Sequence, residues 1–173
     1  EFVSLCLETA KNSKNLPSII DDINEYPNSK SGMAYLYKLE TIKQIKTYKK
    51  PLVLTLTSRF NLSSDEIKEK YGHLIKYISS LILKNAYKRN GKTLQNIAYV
   101  EGNESIKTHI HAVVDCPDFV EIPKLKKLIA SYWNKHAGIA TKLDDNAEIE
   151  ATAAYITKMK SKSGLVAEAL IQI

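Results

Sequence analysis

Residues 95–115, "QNIAYVEGNESIKTHIHAVVD", hold two apolar, β-branched runs, "QNIAYVEG" and "KTHIHAVVD", on either side of the polar "GNESIK". That is the pattern of an antiparallel hairpin. Alternate side chains of a strand share a face, so His109 and His111 project together with Val113, while Ile110, Ala112 and Val114 point to the other side. Neighbouring positions on one face lie roughly 6.5 to 7 Å apart, so two imidazoles there can converge on one cation. A divalent metal between them asks for a third ligand, and a carboxylate makes the set compatible with Mn²⁺ or Mg²⁺. Two carboxylates compete for that place. Glu101 ends the first strand, where the hairpin sets it beside the histidines, and is the preferred candidate; Glu104 lies in the connecting loop. The bland explanation of the pair is two core histidines, each satisfied by its own hydrogen-bond partner.

Upstream, "KPLVLTLTSRF" alternates Leu52, Leu54 and Leu56 with Val53, Thr55 and Thr57, which reads as a strand over residues 52–58. Its two threonines are most simply strand formers, with support of a neighbouring site as the second reading. The following stretch starts with Ser63 and has Glu66 three residues on, the capping-box spacing, then an apolar stripe at helical period that runs toward Gly91. Beyond the hairpin, Pro123 opens a helix that runs to Gly138, a short strand follows at "IATKL", and a last helix covers "NAEIEATAAYITKMKSK", residues 146–162. Ahead of the first strand, "MAYLYKLETIKQIKTYKK" has helical periodicity. The chain therefore divides into an N-terminal helical extension, residues 1–50, and a domain over residues 51–173. Its element order predicts an α+β fold, an antiparallel sheet covered by helices.

Composition narrows the partners. A net charge of +6 favours an anionic partner such as nucleic acid. No run of eighteen uncharged apolar residues is present, so no membrane span is expected. The opening "EFVSLCLETAKNSK" lacks the basic region of a signal peptide, and Cys6 and Cys116 lack metal-ligand spacing. A reducing, cytoplasmic setting is expected.

On the last helix Tyr155 and Lys158 are three residues apart and share a face. A phenol is only roughly one part in a thousand ionised at neutral pH, so a nucleophilic tyrosine needs cationic neighbours such as Lys158 or a metal ion. The chain has ten tyrosines, and the pair alone carries little. Lys160 and Lys162 extend the cationic surface, or else form an ordinary solvated face.

Taken in order, "LVLTLTS", "HIHAVV" and "YITK" resemble the three motifs of the HUH endonucleases, and specifically the rolling-circle replication initiators called Rep proteins. The resemblance covers about residues 51–162. It implies a central antiparallel sheet of about five strands with the histidine strand in the middle. It also implies site-specific nicking and joining of single-stranded DNA through a 5′-phosphotyrosine. His109, His111 and Glu101 would be the metal ligands, Tyr155 the nucleophile, Lys158 its helper, and Thr57, Lys160 and Lys162 would contact DNA. The implied partners are single-stranded origin DNA, hairpins included, and the host helicase and polymerase. Met159 stands where a second tyrosine would be, so the likeness is to one-tyrosine initiators. Small HUH transposases share the motif order but usually carry glutamine where this chain has Lys158. A nucleic-acid-binding module without catalysis is the third reading. Amidohydrolase barrels, which also use His-x-His, need about 250 residues.

Overall fold

A computed structural model describes residues 40–103, 106–148 and 151. The elements run α1 (residues 40–46), β1 (Pro51–Ser58), α2 (Ser64–Leu83), α3 (Asn85–Asn90), β2 (Asn96–Asn103), β3 (Ile106–Asp115), α4 (Ile122–His136) and β4 (Gly138–Asp144). Among the described residues the sheet has four strands, in the order β2-β3-β1-β4, where about five were expected. Every pairing is antiparallel, and the histidine strand β3 is interior, as expected. The expected helix over residues 146–162 lies outside the described residues, apart from 146–148, which are not helical, and Ala151.

Alternation in β1 and β3 divides the sheet into two faces. Leu52, Leu54 and Leu56 are fully buried and join Ile110, Ala112 and Val114 in one cluster, covered by α2 and α4. Ile67, Tyr71, Leu74, Ile75, Ile78 and Ile82 come from α2, and Leu125, Ile129 and Trp133 from α4. A core of this size needs no disulfide: burying each large aliphatic side chain is worth about 1.5–3 kcal/mol.

The capping box forms: Glu66 N–H donates to Ser63 Oγ at 3.3 Å, and Ser63 N–H donates to Glu66 Oε2 at 2.8 Å. The helix does not run unbroken to Gly91. It breaks at Lys84, whose φ is 45°, and α3 then carries the chain to Gly91 (φ 63°). The stripe of buried residues ends at Ile82 and α3 buries none, so packing does not hold α3 in line with α2.

Gly138 has a different role from the one its sequence position suggests. The helix ends at His136, and Gly138 is the first residue of β4. A Cβ there would lie 1.8 Å from the Thr57 carbonyl oxygen and 2.9 Å from Arg59 N, both backbone atoms. Only glycine allows β4 to approach the end of β1 this closely.

The second face is covered in part by α1 and the turn after it. Ile45 and Tyr48 pack with Ile97, Tyr99 and Val113 in a smaller buried cluster. Ile45 and Tyr48 thus lie on the face that also carries His109 and His111.

Candidate metal centre

Register explains why three donors meet. Glu101 pairs with His109 across the β2–β3 ladder, and Tyr99 pairs with His111. On the other side of β3, Thr57 pairs with His109 and Thr55 with His111. Directly opposite side chains on one face are about 5 Å apart at Cβ, so Glu101 reaches both imidazoles. The β2–β3 register shifts just beyond Glu101, between it and Asn103.

Glu101 Oε2 lies 3.0 Å from His111 Nε2 and 3.2 Å from His109 Nε2. One donor atom from each of the three residues falls within 4.8 Å of the others. The rings meet edge to face with centroids 4.9 Å apart. His111 is only 4% exposed. The side chains of His109 and Glu101 are 16% and 15% exposed, so the cluster opens to solvent on one side.

The outer nitrogens are both engaged. His109 Nδ1–H donates to the Lys107 carbonyl oxygen at 2.9 Å, which fixes the lone pair of the neutral ring on Nε2. His111 Nδ1 is 3.2 Å from Thr55 Oγ1, a hydroxyl that serves either tautomer. Such outer partners orient metal-binding imidazoles. Burial pushes the pKa of His111 below its ordinary value, and the neighbouring His109 charge adds to this against the opposing pull of Glu101. A neutral imidazole is the form that binds a metal. Two imidazole nitrogens and one carboxylate oxygen form a donor set for a divalent cation that leaves coordination positions open.

Other residues singled out from the sequence stand as follows. Thr57 lies on the same face, opposite His109 in the ladder, and its Oγ1 is 3.5 Å from Thr141 Oγ1. Thr55, the other threonine of that strand, holds His111. Glu104, Tyr155, Lys158, Lys160 and Lys162 lie outside the described residues. Sequence reading missed Tyr99, beside His111, whose hydroxyl hydrogen-bonds Thr41 of α1. The alternation of "NIAYVEG" puts Tyr99 on the face of Glu101, and that is the available signal. The buried Trp133 was also missed; its Nε1–H donates to the Thr57 carbonyl at 3.1 Å and ties α4 to the site end of β1.

Cys116 is buried and free, with no second thiol near it among the described residues. No described helix is long and apolar enough to cross a membrane.

Comparison with known proteins adds one finding. No curated protein and no solved structure matches the chain. Residues 51–163, from the first strand through the Tyr-x-x-Lys motif, match the family of the replication-associated protein ORF2. With the histidine strand inside an antiparallel sheet and its three donors converged, the chain belongs to the replication-associated protein ORF2 family.

Proposed function

We propose that this protein initiates rolling-circle replication by nicking and rejoining single-stranded DNA at a defined site. The observation that carries the reading is the convergence of Glu101, His109 and His111 in a chain of a replication-associated family. A divalent ion held by these three residues would withdraw charge from a non-bridging oxygen of the scissile phosphate. Two imidazole donors favour Mn²⁺ over Mg²⁺ for that role.

The chain's own residues do the rest. Thr55 and the Lys107 carbonyl hold the imidazoles with Nε2 inward. Glu101 is the only carboxylate of the cluster among the described residues. Tyr155 supplies the nucleophile, and Lys158, three residues on, favours its ionised form. The Tyr155 oxygen bonds to phosphorus as the P–O3′ bond breaks. The phenol gives up its proton and the leaving 3′ oxygen gains one, so a free 3′-hydroxyl results for a polymerase to extend. The reverse reaction rejoins the strand, because the phosphotyrosine conserves the bond. Lys160 and Lys162 bind neighbouring phosphates, so affinity falls with salt.

The test uses a labelled single-stranded oligonucleotide pool of randomised sequence with Mn²⁺, resolved on a denaturing gel. Wild type yields a covalent protein–DNA adduct. Chelator, Tyr155→Phe and His111→Ala each abolish it. An adduct that persists in Tyr155→Phe, or a wild type that forms none, contradicts the proposal.

A further inference from the structure

The ladder between β1 and β4 changes register once. Ser58, Thr57 and Leu56 pair with Gly138, Ile139 and Ala140, whereas Thr55, Leu54 and Val53 pair with Lys142, Leu143 and Asp144. Thr141 is the extra residue of a β-bulge. Had the first register continued, Lys142 would stand opposite Leu54 and point into the helix-covered core. The bulge sets it opposite Thr55 instead, on the face of the histidines, and turns Leu143 toward the core, where it packs. One inserted residue thus decides which face receives the ammonium. Bulges that re-aim a side chain are over-represented beside active sites.

The ammonium of Lys142 is accessible to an anion from solvent. Its side chain is 56% exposed and 3.3 Å from Asp144, whose carboxylate also accepts from Asn146 N–H at 2.9 Å. An exposed pair of this kind is weak, so a phosphate can compete for the ammonium. Thr55 is paired with His111 on one side and with Lys142 on the other, so the lysine stands two strands from the cluster on the same face. Thr141 Oγ1–H donates to the Thr55 carbonyl at 3.0 Å, which turns this hydroxyl to the same side, 3.5 Å from Thr57 Oγ1. Ile139, on β4, the outermost strand on that side among the described residues, is more than half exposed.

We propose that the bulge at Thr141 builds a phosphate subsite, formed by Lys142 with the hydroxyl of Thr57, which takes the backbone phosphate next to the scissile one in single-stranded DNA. The assignment rests on the nicking reading, and it makes β4 the track along which the strand reaches the metal cluster.

The experiment measures binding of a labelled oligo(dT) of about 15 nucleotides in chelator, between about 50 and 200 mM salt. Losing one phosphate contact makes the log–log salt slope shallower by about 0.7. Lys142→Ala should show that change, so that over this fourfold salt range it loses about 2.6-fold less affinity than wild type. Lys142→Arg should keep the wild-type slope, as should Lys127→Ala, an exposed lysine on α4 behind the sheet. Chelator removes any effect routed through a metal. A Lys142→Ala slope equal to wild type, or an equal change in Lys127→Ala, overturns the subsite and leaves adduct formation untouched. A flattened slope in a protein that forms no adduct upholds the subsite for DNA binding and refutes the nicking reading.

Discussion

Replacing Thr55 by valine removes one hydroxyl and keeps the β-branched shape that β1 requires. That hydroxyl lies 3.2 Å from Nδ1 of His111, a ring that is 4% exposed, so bulk water does not replace it. Removing the outer partner of a metal-binding imidazole typically costs about 10- to 100-fold in metal affinity, or about 1.4–2.8 kcal/mol. Thr57→Val is the matched control: the same substitution on the same strand face, two residues away, at a hydroxyl whose neighbour is Thr141. Calorimetric titration with Mn²⁺ should give weaker binding for Thr55→Val by that factor, and wild-type binding for Thr57→Val. Urea midpoints confirm that both variants are folded. If Thr55→Val binds Mn²⁺ as wild type does, or Thr57→Val loses as much, the Thr55 hydroxyl is not what holds His111.

Other consequences follow from the same geometry. Gly138→Ala forces a Cβ against backbone atoms at 1.8 and 2.9 Å, contacts that cannot yield without moving β4. It should cost about 1–3 kcal/mol in urea unfolding, and a loss under about 0.5 kcal/mol would contradict the close approach. Mn²⁺ at about 100 times its Kd should add about 2.7 kcal/mol of stability, or roughly 5–11 °C in Tm for a chain of this size. His111→Ala and excess chelator should remove that gain; an equal rise in His111→Ala would place the ion elsewhere. In the metal-free protein His111 has a lowered pKa, so the unfolded chain takes up a proton that the folded chain resists. Its contribution is therefore present above the unfolded value near 6.5 and is lost as pH falls from there through the lower folded value. Urea unfolding in chelator should show a smaller loss of stability between about pH 7.5 and 5 for His111→Asn than for wild type. Identical losses would refute this.

How much could be read in advance differs from one residue to the next. The period of two in "THIHAVVD" puts His109 and His111 on one face, and the loop length after "NIAYVEG" brings Glu101 alongside, because both are local properties of a hairpin. Ser63 and Glu66 are equally legible, since a capping box lies within one turn. Gly138 reads as the end of a helix because its real reason is contact with Thr57, far back in the chain. Lys142 is invisible for a related reason: the bulge that turns it exists only in the pairing with β1. Likewise, nothing in residues 40–50 indicates that Ile45 and Tyr48 cover the face that carries the histidines. Thr55 and Thr57 are indistinguishable by alternation, and only the register with β3 separates the one that touches His111.

The central claim is that the Glu101–His109–His111 cluster serves Tyr155 in a strand-transfer reaction. Peptide mapping by mass spectrometry tests it most directly, after the protein has been incubated with Mn²⁺ and the randomised single-stranded pool. One modified peptide is predicted, containing Tyr155 joined to a 5′-phosphate, present with Mn²⁺ and absent with chelator. DNA joined to any other residue, or joined equally well in chelator, would contradict it.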